Sequence, residues 1–193
     1  MIKKQDIEGL FEGLLPLISD NELRKKVVAV WIKACERGGW KTVEELKNIP
    51  FTLLTDSRGI NLVEHTIAVT EGALGLGKSQ TKNYGKLPYK INFDRLIAGG
   101  LLHDVGKLLE IESDGKGGYR KSRSGRCARH PISGAILVAE SGLPDEIVNI
   151  VACHAKEGEG RPQVVETVLI YHADFSTFNP LVMLQKGELI LEE

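Results

Sequence analysis

Six side chains in this 193-residue sequence have the types and placement to do chemistry together: His65, His103, Asp104, His130, His154 and Asp174. Each falls on the apolar side of a helical pattern. His65 shares a stripe with Leu62, Val69 and Leu76, and His103-Asp104 follows Leu101-Leu102. His154 continues the face of Ile147, Ile150 and Val151, and Asp174 lies with Ile170, Tyr171 and Phe178. His130 precedes Pro131, where a helix begins. A lone inward histidine is usually a satisfied core residue. Four histidines and two acids aimed inward need a cation to offset their desolvation. Imidazole with carboxylate suits a divalent transition ion such as Mn, Fe, Co, Ni or Zn. Lys107, four residues after His103, is expected on the same helical face. His172 sits about 200° around the helix from Asp174 and is read as structural.

The elements that must hold these groups are helical. Apolar spacing predicts helices over 3–15, 21–39, 42–48, 61–77, 93–111, 131–141, 145–156 and 162–177. The tail after 180 alternates weakly around Lys186-Gly187 and is expected to form a small hairpin. With no repeat or linker, the chain reads as a single all-α domain, with residues 1–56 as N-terminal helices packed on a metal-binding core over 57–178.

Composition narrows the functions. The net charge of −1 argues against a general nucleic-acid or membrane-surface binder. The sequence shows neither a membrane span nor a signal peptide. Three cysteines (Cys35, Cys127 and Cys153), with no CxxC pair, suggest thiols in a cytoplasmic protein. Against this neutral background, residues 112–129 carry Lys116, Arg120, Lys121, Arg123, Arg126 and Arg129 beside Glu112 and Asp114. Their position between Asp104 and His130 suits a basic lid over an anionic substrate.

The order His65, His103-Asp104, Asp174 resembles the H…HD…D signature of the HD-domain superfamily of metal-dependent phosphohydrolases. HDVGK is similar to its HDxGK form, and HPISGAIL to its segment after the doublet. The resemblance covers about residues 57–178 and implies an all-helical HD-domain-like bundle. It implies that His65, His103, Asp104 and Asp174 bind one divalent ion, Mg being a further option. His130 and His154 would bind a second, with Asp104 bridging. Two-ion members often carry a second histidine after the position of His154; here Ala155 stands there, leaving that half one ligand short. The ions would activate water and polarise a phosphoryl oxygen. Asp104 and Lys107 are the catalytic candidates. Lys107, Arg58, Arg120, Lys121 and Arg123 are the candidates for binding a small phosphomonoester or phosphodiester, possibly a nucleotide.

Three other readings share this framework. One is a cyclic-dinucleotide phosphodiesterase of the HD-GYP type, which HAKEGEGRP faintly resembles, although Arg161 replaces the tyrosine. The others are a non-catalytic regulatory module and a di-iron oxygenase.

Overall fold

The computed structural model describes residues 1–156 and 161–191. Helices dominate: α1 (Lys4–Leu10), α2 (Asn21–Gly38), α3 (Val43–Asn48), α4 (Leu62–Asn83), α5 (Phe93–Leu102), α6 (Lys107–Glu110), α7 (Arg123–Cys127), α8 (His130–Glu140), α9 (Asp145–Cys153) and α10 (Val165–Lys186). Between α6 and α7 an antiparallel hairpin pairs β1 (Ile111–Ser113) with β2 (Tyr119–Lys121).

Local chemistry sets the boundaries. Asp20 caps α2 through the amides of Glu22 and Leu23, and Gly39 ends that helix with φ 81°. Asn61 and Glu64 form a reciprocal capping box on α4, and Asn92 caps α5. The long helices α4 and α10 lie against one another, α5 packs on both, and α8 and α9 close the far side. One continuous set of buried apolar side chains joins these helices to α1 and α2.

The helix expected over 93–111 is broken. The α-helix stops at Leu102 and a new one begins at Lys107; in the turn between, the amides of Val105 and Lys107 donate to the carbonyls three residues back, Leu102 O at 3.1 Å and Asp104 O at 2.9 Å. Packing explains the break. A Cβ on Gly106 would lie 2.1 Å from the carbonyl oxygen of His130 and 2.7 Å from the amide nitrogen of Gly134. Only glycine lets this turn and the first turn of α8 meet so closely. Two indoles hold the carbonyls flanking the break. Trp31 Nε1 donates to Leu101 O at 2.9 Å, and Trp40 Nε1 donates to Leu108 O at 2.8 Å. The N-terminal segment therefore clamps the turn that carries His103 and Asp104.

The small hairpin expected in the tail lies elsewhere, at 111–121. Residues 181–186 continue α10 past Pro180, and Gly187 (φ 69°) caps the helix. The amide of Glu188 donates to Met183 O at 2.9 Å. Glycine here ends a helix in the left-handed cap conformation instead of turning a strand. The N-terminal helix also stops earlier than expected, at Leu10, and Leu15–Leu17 form a separate 3-10 turn around Pro16.

Candidate metal centre

The break after α5 puts Asp104 at the centre of four imidazoles. Its carboxylate is 1 % exposed. Oδ2 lies 3.2 Å from His65 Nε2 and 3.4 Å from His103 Nε2. Oδ1 lies 3.2 Å from His130 Nε2 and 3.5 Å from His154 Nε2. Asp174, from α10, brings Oδ1 within 3.1 Å of His65 Nε2. Two ligand groups result, His65–His103–Asp104 and Asp104–His130–His154, with Asp104 common to both. The six metal-ligand candidates converge from five places in the chain: α4, the α5–α6 turn, the start of α8, the end of α9 and α10.

The far side of each ring fixes its tautomer. His103 Nδ1 donates to Gly100 O at 2.6 Å, and His154 Nδ1 donates to Val151 O at 2.8 Å. His130 Nδ1 donates to Glu110 Oε2 at 3.1 Å. Thr177 commits its hydroxyl proton to Asp174 O at 2.8 Å, so its oxygen accepts from His65 Nδ1 at 3.3 Å. Carbonyl and carboxylate oxygens only accept, so each Nδ1 carries the proton and each neutral ring turns a lone pair at Nε2 toward Asp104. Four nitrogen lone pairs facing carboxylate oxygens repel unless a cation lies between them. Asp104 Oδ1 and His154 Nε2 are buried and lack a hydrogen-bond partner among the described residues. Buried orphans of this kind point to an ion. The donor set therefore fits one or two divalent metals with histidines oriented from behind.

Electrostatics agree with ionised carboxylates. Burial pushes the Asp104 carboxyl upward, but it is held well below its usual range, with the Lys107 ammonium the largest opposing influence. Burial lowers His130, favouring the neutral ring that a metal requires.

A cavity of about 630 Å³ opens beside this centre. Lys107, Arg120 and Lys121 line it, together with His130 and Asp174. Lys107 Nζ reaches Asp104 Oδ2 at 2.5 Å and lies 5.5 Å from the centre of the Phe51 ring. Its contact is with the shared carboxylate, three residues back, because the helix break removes the common face expected with His103. Arg120 pairs with Glu112 at 2.8 Å, and Lys121 lies 3.7 Å from Glu110. Arg58 and Arg123 are not among the lining residues. Arg58 occupies a left-handed turn (φ 54°), pairs with Asp56 and is 59 % exposed at its side chain. Arg123 is exposed in the first turn of α7. His172 is exposed and rests its ring against Tyr171.

Several side chains at this site carry no role in the sequence reading. Glu110 and Thr177 orient His130 and His65 from behind. Lys156 and Phe175 line the cavity, as do Arg129 of the basic segment and Phe178. Glu110 offered one signal, an acid between Leu109 and Ile111 in an apolar run. Thr177 offered none, since hydroxyls on helices are common. Residues 157–160, on which the HD-GYP resemblance partly rests, lie outside the described residues.

The sequence is similar to those of known proteins. The HD domain family model matches residues 62–176. A dihydroneopterin 2',3'-cyclic phosphate phosphodiesterase of Methanocaldococcus jannaschii is 30 % identical over 168 residues, covering 81 % of this chain and 63 % of that protein. Ribonuclease Y of Pseudothermotoga lettingae is 31 % identical over 118 residues, covering 61 % of this chain and 18 % of that enzyme. Ribonuclease Y of Thermotoga maritima is 32 % identical with the same coverage. The chain thus spans less than two thirds of these relatives' lengths. No solved structure gives a significant match.

Proposed function

From the premise that this chain belongs to the HD domain family, we propose that it is a metal-dependent phosphodiesterase acting on a small nucleotide-like phosphoester. A 2',3'-cyclic phosphate of a small molecule that carries a nitrogen heterocycle is the favoured class, by analogy with the Methanocaldococcus jannaschii relative. One observation carries the reading: a buried carboxylate shared by two pairs of histidines, all with Nε2 turned toward it, beside a cavity lined by cations. His65, His103, Asp104 and Asp174 would hold one divalent ion, and His130, His154 and Asp104 a second. A transition ion such as Mn, Fe, Co, Ni or Zn suits these donors better than Mg. When bound, such ions supply Lewis acidity to a phosphoryl oxygen and make water a stronger nucleophile near neutral pH.

The chain's own residues do the rest. Asp104 fixes the spacing of the two donor groups. Lys107 Nζ, beside Asp104 and on the cavity wall, holds a non-bridging phosphoryl oxygen. Arg120 and Lys121 on the hairpin draw the anion inward and reduce its charge repulsion with Asp174 and Glu110. In the reaction, water adds to phosphorus, one P–O ester bond of the ring breaks, and the proton ends on the departing oxygen, leaving one product that carries a phosphomonoester beside a free hydroxyl.

No helix among the described residues is long and apolar enough to cross a membrane. With Cys35, Cys127 and Cys153 not joined in any disulfide, a cytoplasmic setting is part of the same proposal. The test is hydrolysis of 2',3'-cyclic nucleotides, phosphomonoesters and short RNA by protein reconstituted with Mn, Co, Ni, Zn or Mg. Asp104→Ala should abolish both metal uptake and turnover while circular dichroism retains the helical signal. Turnover by that variant without bound metal would refute the proposal, and RNA cleavage in preference to small esters would redirect it.

A further inference from the structure

Glu110 is a buried carboxylate that the proposed reaction leaves unused. It ends α6 where the chain departs into the hairpin, and His130 begins α8 where the chain returns. Glu110 closes this neck. Oε2 accepts from the His130 amide at 2.5 Å and from His130 Nδ1 at 3.1 Å, while Oε1 accepts from Arg129 Nε at 2.9 Å. The Ser122 amide donates to Glu110 O at 2.7 Å. A Cβ on Gly125 would come within 2.6 Å of Glu110 Cγ, so α7 presses directly on this side chain. These contacts hold its carboxylate against the imidazole.

The two halves of the metal centre are unequal. The His65–His103 half has two imidazoles and two carboxylates, Asp104 and Asp174. The His130–His154 half has two imidazoles and only the shared Asp104, and Ala155, on the cavity wall after His154, supplies no donor. His103 and His154 are backed by carbonyls and His65 by a hydroxyl. His130 alone among these four rings is backed by a carboxylate, in the half that has fewer donors. A hydrogen bond to an ionised acceptor is roughly twice as strong as a neutral one. It leaves more electron density on Nε2 and makes the ring a better ligand.

We infer that Glu110 is a positioning residue that sets the affinity of the His130–His154 half, the half with fewer donors, for its ion. The inference rests on the two-ion form of the proposed function. Its test reads metal binding alone, so failure to hydrolyse any ester would count against the function and leave the inference standing.

The experiment strips the full-length chain with chelator and titrates Mn²⁺ calorimetrically, with electron paramagnetic resonance recording the spin-coupled pair. The unsubstituted protein should take up two ions. Glu110→Gln should weaken the second by about 10- to 100-fold and erase the coupled signal at matched Mn²⁺, with the first Kd unchanged. Glu110→Asp keeps the charge but draws it back by one methylene, and should weaken the second ion to a lesser degree. It also carries the test if Glu110→Gln fails to fold. Equal weakening of both ions, an unchanged second Kd, or a single ion in the unsubstituted protein would each overturn the inference.

Discussion

Lys107→Met tests whether the cation beside Asp104 serves substrate or metal. The ammonium is 2.5 Å from Asp104 Oδ2, its side chain is 12 % exposed, and it lies on the cavity wall. Methionine retains much of the stem and its packing near Phe51 while removing the charge. In the proposed reaction Lys107 donates to a phosphoryl oxygen, and hydrogen bonds to charged groups contribute about 1.5–3 kcal/mol. That range corresponds to a loss of roughly 10- to 150-fold in kcat/KM. Metal binding should move the other way or not at all, because deleting a positive charge beside the ligand carboxylate favours a divalent cation. The assay is steady-state hydrolysis of the best cyclic phosphodiester, with metal content measured on the same samples. Lys107→Arg should recover only part of the loss, since its planar fork cannot reproduce a point charge at that distance. Full activity in Lys107→Met would return Lys107 to an ion pair with no part in turnover. Loss of metal in step with activity would mean that the lysine sustains the geometry of Asp104, and the phosphate role would pass to the hairpin.

Two further outcomes are expected. Replacing Arg120 and Lys121 together by glutamine should raise KM at low salt with kcat nearly unchanged, the difference fading as ionic strength rises; the same change at Arg123, outside the cavity lining, should leave KM alone. Asp94, which accepts from the Ser19 amide at 2.9 Å, the Ser19 hydroxyl at 2.7 Å and the Asp20 amide at 2.9 Å, ties the N-terminal segment to α5, which carries the site. Partial burial opposes its ionisation, but these donors prevail and hold its pKa below the ordinary 3.8. Its contribution is therefore fully present above that value and disappears as pH falls through the lower folded value. Asp94→Ala should cost on the order of 1 kcal/mol at pH 7 after allowance for solvent screening, with the gap from the parent protein closing in acid, as measured by urea unfolding.

What could be read from the sequence follows from how local each signal is. His65 was readable because its helix keeps one apolar stripe from Leu62 to Val69, and tertiary packing only confirms the face. Asp104 was readable as a residue type in a motif, but its position was not. Apolar periodicity runs unbroken through Leu101, Leu102, Val105 and Leu108, so the pattern predicts one helix where the chain makes two. The break depends on contacts distant in sequence: the His130 carbonyl against Gly106, and the indoles of Trp31 and Trp40 on Leu101 and Leu108. In HDVGK, Gly106 is the residue that allows this close approach.

The same distinction separates the basic residues. Arg58 lies seven positions before His65, and Arg123 seven before His130, yet neither lines the cavity. Lys156, two residues beyond His154, does line it, with Nζ 5.6 Å from the centre of the Phe175 ring. Nearness in sequence to a ligand gives a cation a short tether, whereas access to the cavity depends on which way the connecting backbone turns. At Arg58 the backbone adopts a left-handed turn and the guanidinium closes on Asp56. At Arg123 the residue opens α7 after the Ser122 cap and points to solvent. Arg120 and Lys121 instead sit on a strand held by its partner, with Ile111 opposite Lys121 and Glu112 opposite Arg120. Ile111 is itself a cavity-wall residue, so the pairing register that sets Lys121 opposite it also brings the hairpin's charge to the cavity. That register, closed at its neck by Glu110, makes a basic run in the sequence into a cationic wall beside Asp104.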